Sequence, residues 1–166
     1  MIQIYTGEGK GKTTAALGLA LRAIGAGLKV YIGQFAKGKE CCGLKALKCI
    51  KKIKIEHFGS CNFIRKVTEK DKQLAQKGLD RIKAIISDKS YDMVIMDELN
   101  VALDLKLLKL DSIIELIKKA PPKIELIITG RNAHKKIIAL ADLVSEIKEI
   151  KHYYKKGVKA RRGIEF

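Results

Sequence analysis

The sequence contains no tryptophan, and only 5% of its 166 residues are aromatic. This scarcity excludes a binding surface built mainly from stacked rings. Long hydrophobic runs are missing too: stretches such as 93–96 are far too short to cross a bilayer, which takes about 20 residues. Because a strand-like segment begins at residue 2, there is no room for a signal peptide, and we expect a cytoplasmic protein without a membrane partner.

Cysteine is confined to one region of the sequence, at Cys41, Cys42, Cys49 and Cys61. No two of these residues form a CxxC pair, and no histidine follows them at the spacing of a zinc finger. Reduced structural thiols are therefore the favoured interpretation, with metal binding or a redox role as the alternative.

Acidic residues are few relative to basic ones, 18 against 34, which gives a formal net charge of +16. The excess is mostly lysine and is spread along the chain, for example at 51–52, 118–119 and 155–156. Proteins that read nucleic acids usually concentrate arginine and aromatic side chains at a groove, which this sequence does not. The charge thus favours solvated lysine faces and small anionic ligands, and nucleic acid is the less favoured partner.

Short β-rich runs alternate with helical patterns along the chain, which is typical of an α/β protein with a mainly parallel sheet. The predicted strands are 2–5, 29–35, 53–58, 93–96, 125–129 and 144–150. The predicted helices are 12–25, 69–86, 111–119 with Asp111 as its cap, and 134–141. We therefore expect one domain over residues 1–166 with a mainly parallel six-stranded sheet flanked by helices and, given the glycine-rich sequence TGEGKGKTT after the first strand, an α/β P-loop (RecA-like) fold.

A glycine-rich loop, TGEGKGKTT at 6–14, joins the first predicted strand to the first helix. Its last three key residues, Gly11-Lys12-Thr13, fit the Walker pattern for phosphate binding, but Thr6 stands where the first glycine is usual. The glycines can turn backbone N–H groups inward as an anion nest, and the helix N-terminus adds partial positive charge. We expect Lys12 to reach phosphate oxygens, Thr13 to ligate Mg²⁺ and the Lys10 side chain to lie in solvent.

Two acids, Asp97 and Glu98, follow the apolar run 93–96 directly. They would lie at the carboxyl edge of the sheet, where nucleotides bind in open α/β folds, and one of them should hold Mg²⁺. Together with the loop they predict Mg²⁺–nucleotide binding. The residues alone leave the reaction open, so a P-loop nucleoside kinase or small NTPase is an alternative.

Several further motifs follow one another in a fixed order along the chain. They are 6–16, Arg22-Ala23 with Gly25 and Gly27, 34–35 with 37–38, 96–99, 129–131 with His134, 140–146, 157–160 and 163–166. In this order they resemble the P-loop family of ATP:corrinoid adenosyltransferases, over essentially the whole chain. In that family, Thr at the first position of the loop is the usual form.

The resemblance implies an enzyme that transfers the 5′-deoxyadenosyl group of ATP to the Co(I) of a reduced corrinoid and releases triphosphate, in adenosylcobalamin synthesis or salvage. It also implies Mg²⁺ as cofactor, a reduced flavoprotein as electron donor and a homodimer. Because Co(I) is a strong nucleophile, the reaction needs no general base, and the sequence offers no convincing one. Stabilising the charged leaving group is what remains for the protein to do.

The resemblance also implies roles for individual residues. The residues expected to hold the nucleotide or the corrinoid are Gly7, Glu8, Gly9, Lys10, Gly11, Lys12, Thr13, Thr14, Arg22, Arg131 and Phe63. Catalytic roles are expected for Lys12, Thr13 and Glu98, and metal ligation for Thr13 and Glu98 with Asp97 as a further candidate.

Some of these assignments have plain structural alternatives. Arg22 and Arg131 could be solvated, Asp97 could simply end its strand, and Phe63 could be a core aromatic. His134 is better explained as a helix-start residue than as a ligand.

The chain departs from the family pattern at two places. Glu8 stands where the family often has Asn, and puts a negative charge near the phosphates; it could point outward or bind a second cation. Near the expected corrinoid contact, Arg65 stands where Trp is common and Asn62 where Gly is common. These differences leave the preferred corrinoid open.

Overall fold

A computed structural model describes residues 1–37, 42–60, 64 and 66–165. Its strands are β1 (Ile2–Thr6), β2 (Val30–Phe35), β3 (Ile53–Phe58), β4 (Met93–Asp97), β5 (Glu125–Thr129) and β6 (Leu143–Glu146). They form one six-stranded sheet in the order β3-β2-β4-β5-β1-β6, and every pairing is parallel. The predicted α/β fold with its six-stranded parallel sheet is confirmed.

Helices connect these strands, as parallel pairing requires. They are α1 (Lys12–Gly25), α2 (Cys42–Leu47), α3 (Glu69–Asp88), α4 (Leu99–Asp104), α5 (Leu110–Lys119) and α6 (Lys135–Ile138), and a 3₁₀ turn follows at Tyr153–Lys156. The prediction was correct for α1, and nearly so for α3 and α5. Asp111 is not the cap of α5, because the helix already begins at Leu110 and Lys109 holds the cap position.

The end of the chain differs most from the prediction. Helix α6 stops at Ile138 rather than 141, because the chain must turn so that the Asp142 N–H can donate to the carbonyl of Ile2 at the start of β1. Strand β6 ends at Glu146 rather than 150. The next residue, Ile147, uses its carbonyl to accept a hydrogen bond from the glycine-rich loop instead of from another strand.

The sheet is covered on both faces, so its central strands are buried throughout. Residues 30–35 of β2 and 93–97 of β4 are all buried, which explains their nearly continuous apolar sequences. One face packs against α1 and α2 through residues such as Ala16, Ala20 and Leu44. The other face packs against α3 to α6, with Leu79 and Ile113 among the buried contacts.

Local signals fix where several helices begin. Thr68 and Asp71 form a reciprocal capping box at the start of α3, which anchors that helix at the residue predicted. His134 caps α6: its Nδ1 accepts the N–H of Lys136 at 3.2 Å, so the interpretation of His134 as a helix-start residue is confirmed.

The sequence predicts that no segment spans a membrane and that the cysteines are reduced structural thiols. None of the helices in the described ranges is long and apolar enough to span a membrane. Cys42 is half-buried and Cys49 exposed, both as free thiols, whereas Cys41 and Cys61 lie outside the described residues. Among residues 1–37, 42–60, 64 and 66–165, no three His, Cys, Asp or Glu side chains cluster as a metal site.

Candidate active site

The glycine-rich loop joins β1 to α1 and depends on its glycines for two different reasons. Gly7 and Gly11 have φ values of +96° and +120°, a region that side chains disfavour. Gly9 is needed for space, because a Cβ there would lie 2.8 Å from the carbonyl oxygens of both Ile147 and Lys148. The loop is therefore shaped by the segment after β6 as well as by its own sequence.

The predicted inward nest of N–H groups needs one correction, at Gly9. Its N–H donates to the carbonyl oxygen of Ile147 at 2.7 Å. In this conformation the Gly9 N–H stabilises the contact between the loop and the segment after β6, and so it cannot also point at a phosphate.

Lys12 lies at the start of α1 and folds back over the loop. Its Nζ donates to the carbonyl oxygens of Gly7 and Gly9, both at 2.7 Å. Burial lowers the pKa of Lys12 below its usual value, and the nearby Arg131 guanidinium lowers it further. A polyanion bound at the loop would oppose both effects, because it stabilises the ammonium form.

The other charges that act on Lys12 show which side chains surround it. Lys37 also lowers the pKa of Lys12, whereas the carboxylates of Glu98 and Glu8 raise it. Three cationic side chains, Lys12, Lys37 and Arg131, are thus gathered around the loop from three parts of the chain. Such a cluster suits a ligand that carries several negative charges.

Thr13 and Asp97 meet below the loop. The Thr13 hydroxyl donates to Oδ1 of Asp97 at 2.8 Å, although strand β5 separates β4 from the loop strand β1. The buried Asp97 also accepts hydrogen bonds from the Thr129 hydroxyl (2.7 Å) and from Nε2 of Gln34 (2.8 Å). Three donors therefore fix this carboxylate at the carboxyl edge of the sheet.

Glu98 follows Asp97 but faces another partner. Its backbone is left-handed, with φ of +58°, where β4 turns directly into α4. Its N–H donates to the Thr129 hydroxyl at 3.0 Å, and its carboxylate lies 2.6 Å from Nζ of Lys37. Asp97 is thus the acid that contacts Thr13, and Glu98 lies beside it. Hydroxyl and carboxylate oxygens are the donors that Mg²⁺ prefers, so this set fits the predicted metal.

Glu8 and Arg131 meet at the solvent-exposed side of the loop. Nε of Arg131 lies 3.3 Å from Oε2 of Glu8, and both side chains are more than half exposed. The Glu8 side chain therefore points outward, which is the first of the two alternatives given for it above. Arg131 follows Gly130 after β5, which brings it within electrostatic range of Lys12, and in this conformation its guanidinium contacts the Glu8 carboxylate.

The remaining predicted residues are spread more widely. Arg22 is exposed in the last turn of α1, about 15 Å along the helix from Lys12 at 1.5 Å per residue, so the structure does not bring it to the loop. Thr14 is exposed in the first turn of α1. Phe63 lies outside the described residues, as do Asn62 and Arg65, so their expected proximity to a corrinoid stays a prediction.

The Lys10 side chain is exposed, as expected, but it also makes contacts that the sequence did not predict. Its Nζ donates to the hydroxyl of Tyr153 and to Oε1 of Glu165, both at 2.8 Å. Tyr153 and Glu165 were missed as site residues. Glu165 lies in the motif at 163–166, but no local pattern links it or Tyr153 to Lys10, because both lie more than 140 residues away. Gln34 and Thr129 were detectable, since each is a polar residue within or at the end of an apolar strand.

A strand, a glycine-rich loop and a helix that together present Lys12 and Thr13, beside a strand-end acid, define a P-loop protein. The model of the family described as ATP:corrinoid adenosyltransferase BtuR/CobO/CobP matches residues 1–166. The chain therefore belongs to the ATP:corrinoid adenosyltransferase family.

Curated relatives agree with this assignment over the full chain. The corrinoid adenosyltransferase of Escherichia coli (strain K12) is 36% identical over 167 residues, which cover 100% of this chain and 85% of that protein. The corrinoid adenosyltransferase CobA of Salmonella typhimurium (strain LT2) is 35% identical with the same coverage. The corrinoid adenosyltransferase of a Sinorhizobium species is 34% identical over 177 residues, covering 100% of this chain and 80% of that protein.

Proposed function

We propose that this protein transfers the 5′-deoxyadenosyl group of ATP to the Co(I) of a reduced corrinoid, in adenosylcobalamin synthesis or salvage. The electron pair of Co(I) forms the bond to C5′. The C5′–O bond breaks, and its electrons leave with the triphosphate. Cobalt is formally oxidised by two electrons in this step, and no proton has to be removed from either substrate. The match of the family to residues 1–166 carries the proposal.

The chain's own residues supply what this reaction needs, a place for the leaving triphosphate. Lys12 and the remaining loop N–H groups face the negative charge that develops on the leaving triphosphate. Lys37 and Arg131 add further positive charge nearby. Thr13 and Asp97, with Glu98 beside them, would hold Mg²⁺, which neutralises phosphate charge when bound. Their rigid hydrogen bonds hold these oxygens in position before the nucleotide arrives.

The state of the two acids favours this reaction over a P-loop kinase or NTPase. Those enzymes use a residue that orients the attacking hydroxyl or water near the γ-phosphate. Here Asp97 is occupied by three hydrogen-bond donors, and Glu98 is paired with Lys37 at 2.6 Å. Both carboxylates are fixed in place by these contacts, which suits metal positioning better than activation of a nucleophile.

The proposal extends to the protein's surroundings. A reduced flavoprotein supplies the electrons that generate Co(I), the enzyme is a homodimer, and it works in the cytoplasm. The first two are supported by resemblance to the family. Phe63 contacts the corrinoid in this scheme.

Product analysis tests the reaction directly. The protein is incubated with MgATP and a chemically reduced corrinoid under anaerobic conditions, and the nucleotide and cobalt products are identified. We expect triphosphate and a light-sensitive cobalt–carbon product. ADP or orthophosphate as the sole product from ATP would overturn the proposal in favour of the kinase or NTPase alternative.

A pair of lysine variants makes this test specific for the loop. Lys12→Ala should lower the rate of product formation by about 100-fold or more, the usual cost of removing a group that stabilises developing negative charge. Lys119→Ala is the matched control, because Lys119 is an exposed lysine that pairs with Glu115 at the far end of α5. An equal loss in both variants would show that general positive charge, rather than the loop, drives the activity.

A further inference from the structure

The segment that follows β6 returns to the glycine-rich loop at two places. We call residues 147–165 the C-terminal strap. At its start, the carbonyl of Ile147 accepts the Gly9 N–H, and the N–H of Ile147 donates to the carbonyl of Thr6 at 2.8 Å. The strap thus continues the edge of the sheet just far enough to support the loop from one side.

At its other end, the strap holds the loop through a side chain. Nζ of Lys10 donates to Glu165 and to Tyr153 and lies 5.5 Å from the centre of the Tyr153 ring. The Tyr153 hydroxyl also donates to Glu165. One lysine of the loop is therefore tied to two residues of the strap.

Glu165 is itself held in place by Arg161. The Arg161 N–H donates to Oε2 of Glu165 at 2.6 Å, and the Arg161 guanidinium lies 5.0 Å from the centre of the Tyr153 ring. The Glu165 side chain is only 16% exposed. A carboxylate with this many donors is a fixed point of attachment rather than a freely moving surface acid.

We propose that Glu165 is a positioning residue which, through Lys10, holds the glycine-rich loop in the conformation that receives the triphosphate of ATP. Glycine-rich backbone has much conformational freedom to lose on binding. A loop that the strap has already ordered loses less conformational freedom when nucleotide binds, and so it binds nucleotide more tightly. Glu165 does not touch the reacting atoms, so it should affect ATP binding and not the transfer step.

The test compares two glutamine variants in the same strap. Glu165→Gln should raise the Kd for MgATP by about three- to tenfold, and raise the KM for ATP with kcat unchanged. Glu149→Gln is the matched control, since Glu149 pairs with Lys155 inside the strap rather than with the loop. Tyr153→Phe, which keeps the ring and removes the hydroxyl, should shift the Kd in the same direction by a smaller factor.

A double variant shows whether Lys10 carries the effect. In a Lys10→Met background, Glu165→Gln should no longer change the Kd for MgATP, because the contact it removes is already absent. An unchanged Kd in Glu165→Gln, or an equal increase with and without Lys10, would overturn the proposal.

The inference rests on the proposed function only for the identity of the nucleotide, and the two can fail separately. The Kd is measured without corrinoid, and amide hydrogen exchange of residues 7–12 is measured without any ligand. Glu165→Gln should speed that exchange at Gly9, whereas Glu149→Gln should not. If MgATP binds but no cobalt–carbon bond forms, the proposed reaction is wrong. The Kd and hydrogen-exchange measurements then still test the role of the strap.

Discussion

The floor of the candidate site is buried, whereas its rim is partly exposed to solvent. The floor consists of Thr13 with the buried residues Gln34, Asp97 and Thr129, and the rim carries the pairs Glu8–Arg131 and Lys10–Glu165. On the floor, one carboxylate accepts three side-chain hydrogen bonds. On the rim, carboxylates face cationic side chains that water can also reach.

The two regions should therefore respond differently to the loss of a carboxylate. A buried polar group is costly to leave without its partners, because water cannot replace them. A solvated ion pair is weakened by water and salt and contributes little to stability. The floor should determine whether the protein folds correctly around the proposed metal site, and the rim should adjust how tightly the nucleotide is held.

The largest effect is expected at Asp97. Asp97→Ala leaves the donors on Thr13, Thr129 and Gln34 without an acceptor, and should lower the free energy of unfolding by about 2–4 kcal/mol. MgATP-dependent activity should be lost as well. Urea unfolding of Asp97→Ala, with the exposed Asp111→Ala as control, checks this. The control should lose no more than about 0.5 kcal/mol. A loss of stability in Asp97→Ala no larger than that of the control would contradict the expected difference between floor and rim.

Gly9 lies where floor and rim meet, and should give the second-largest effect. The methyl group of Gly9→Ala would approach the carbonyl oxygens of Ile147 and Lys148 to 2.8 Å, so the loop must separate from the strap. We expect a loss of about 1–3 kcal/mol in stability, together with weaker MgATP binding. Thermal unfolding and calorimetric titration measure the two.

Another glycine provides the control for this substitution. Gly18 lies inside α1, where an added Cβ would have no neighbour within 4 Å among the described residues. Gly18→Ala should therefore stabilise the protein by about 0.5–1 kcal/mol through its higher helix propensity. If both variants were equally tolerated, the close approach of the strap to Gly9 would have no energetic importance.

Removing the charge of Glu8 should have a small effect, and should tighten MgATP binding rather than weaken it. Its carboxylate lies 3.3 Å from Arg131 in an exposed pair. Glu8→Gln removes a negative charge near the bound phosphates and frees Arg131, so MgATP should bind about two- to threefold more tightly at low salt. The gain should shrink as salt rises. Glu69→Gln, which removes an exposed pair with Lys72, is the control, and weaker binding by Glu8→Gln would show that Glu8 assists the site.

The smallest effect concerns pH. Hydrogen bonds from Lys10, and then from Tyr153 and Arg161, hold the pKa of Glu165 well below its usual value. A carboxylate whose pKa is lowered by folding contributes its stabilisation in full above its unfolded pKa of about 4.3, and loses it only as pH falls below that value. The hydrogen bonds that Glu165 accepts should therefore not be lost through its own titration between pH 5 and 8. The amide resonance of Arg161, followed by NMR, measures this, and a titration within that range would contradict it.

Most of the fold could be predicted because its strands carry local signals. The buried runs at β2 and β4 are apolar and β-branched over several residues, and the loop between β1 and α1 has its own motif. Helix α4 was missed because no loop precedes it: the left-handed Glu98 turns β4 directly into it. A single residue with positive φ that is not glycine leaves no mark in the sequence.

The site was predictable in its residues but not in its contacts. Thr13 and the acids after β4 were expected together, yet only the structure places Asp97 rather than Glu98 against Thr13. Adjacent residues at a strand end face different directions, and the turn at Glu98 decides which one faces the loop. The bond from Lys10 to Glu165 spans 155 residues, so no local pattern could reveal it.

The pairing of β1 has a consequence for how the protein is made. Its two neighbours in the sheet are β5 and β6, so residue Ile4 pairs with Ile128 and Val144. During synthesis at roughly 5–20 residues per second, the first strand waits on the order of 10 seconds for either partner. Until then its apolar side chains and the attached loop have no sheet to join. The nucleotide site, encoded first, is thus completed last, and a chain interrupted before β5 would carry the whole motif without the means to use it.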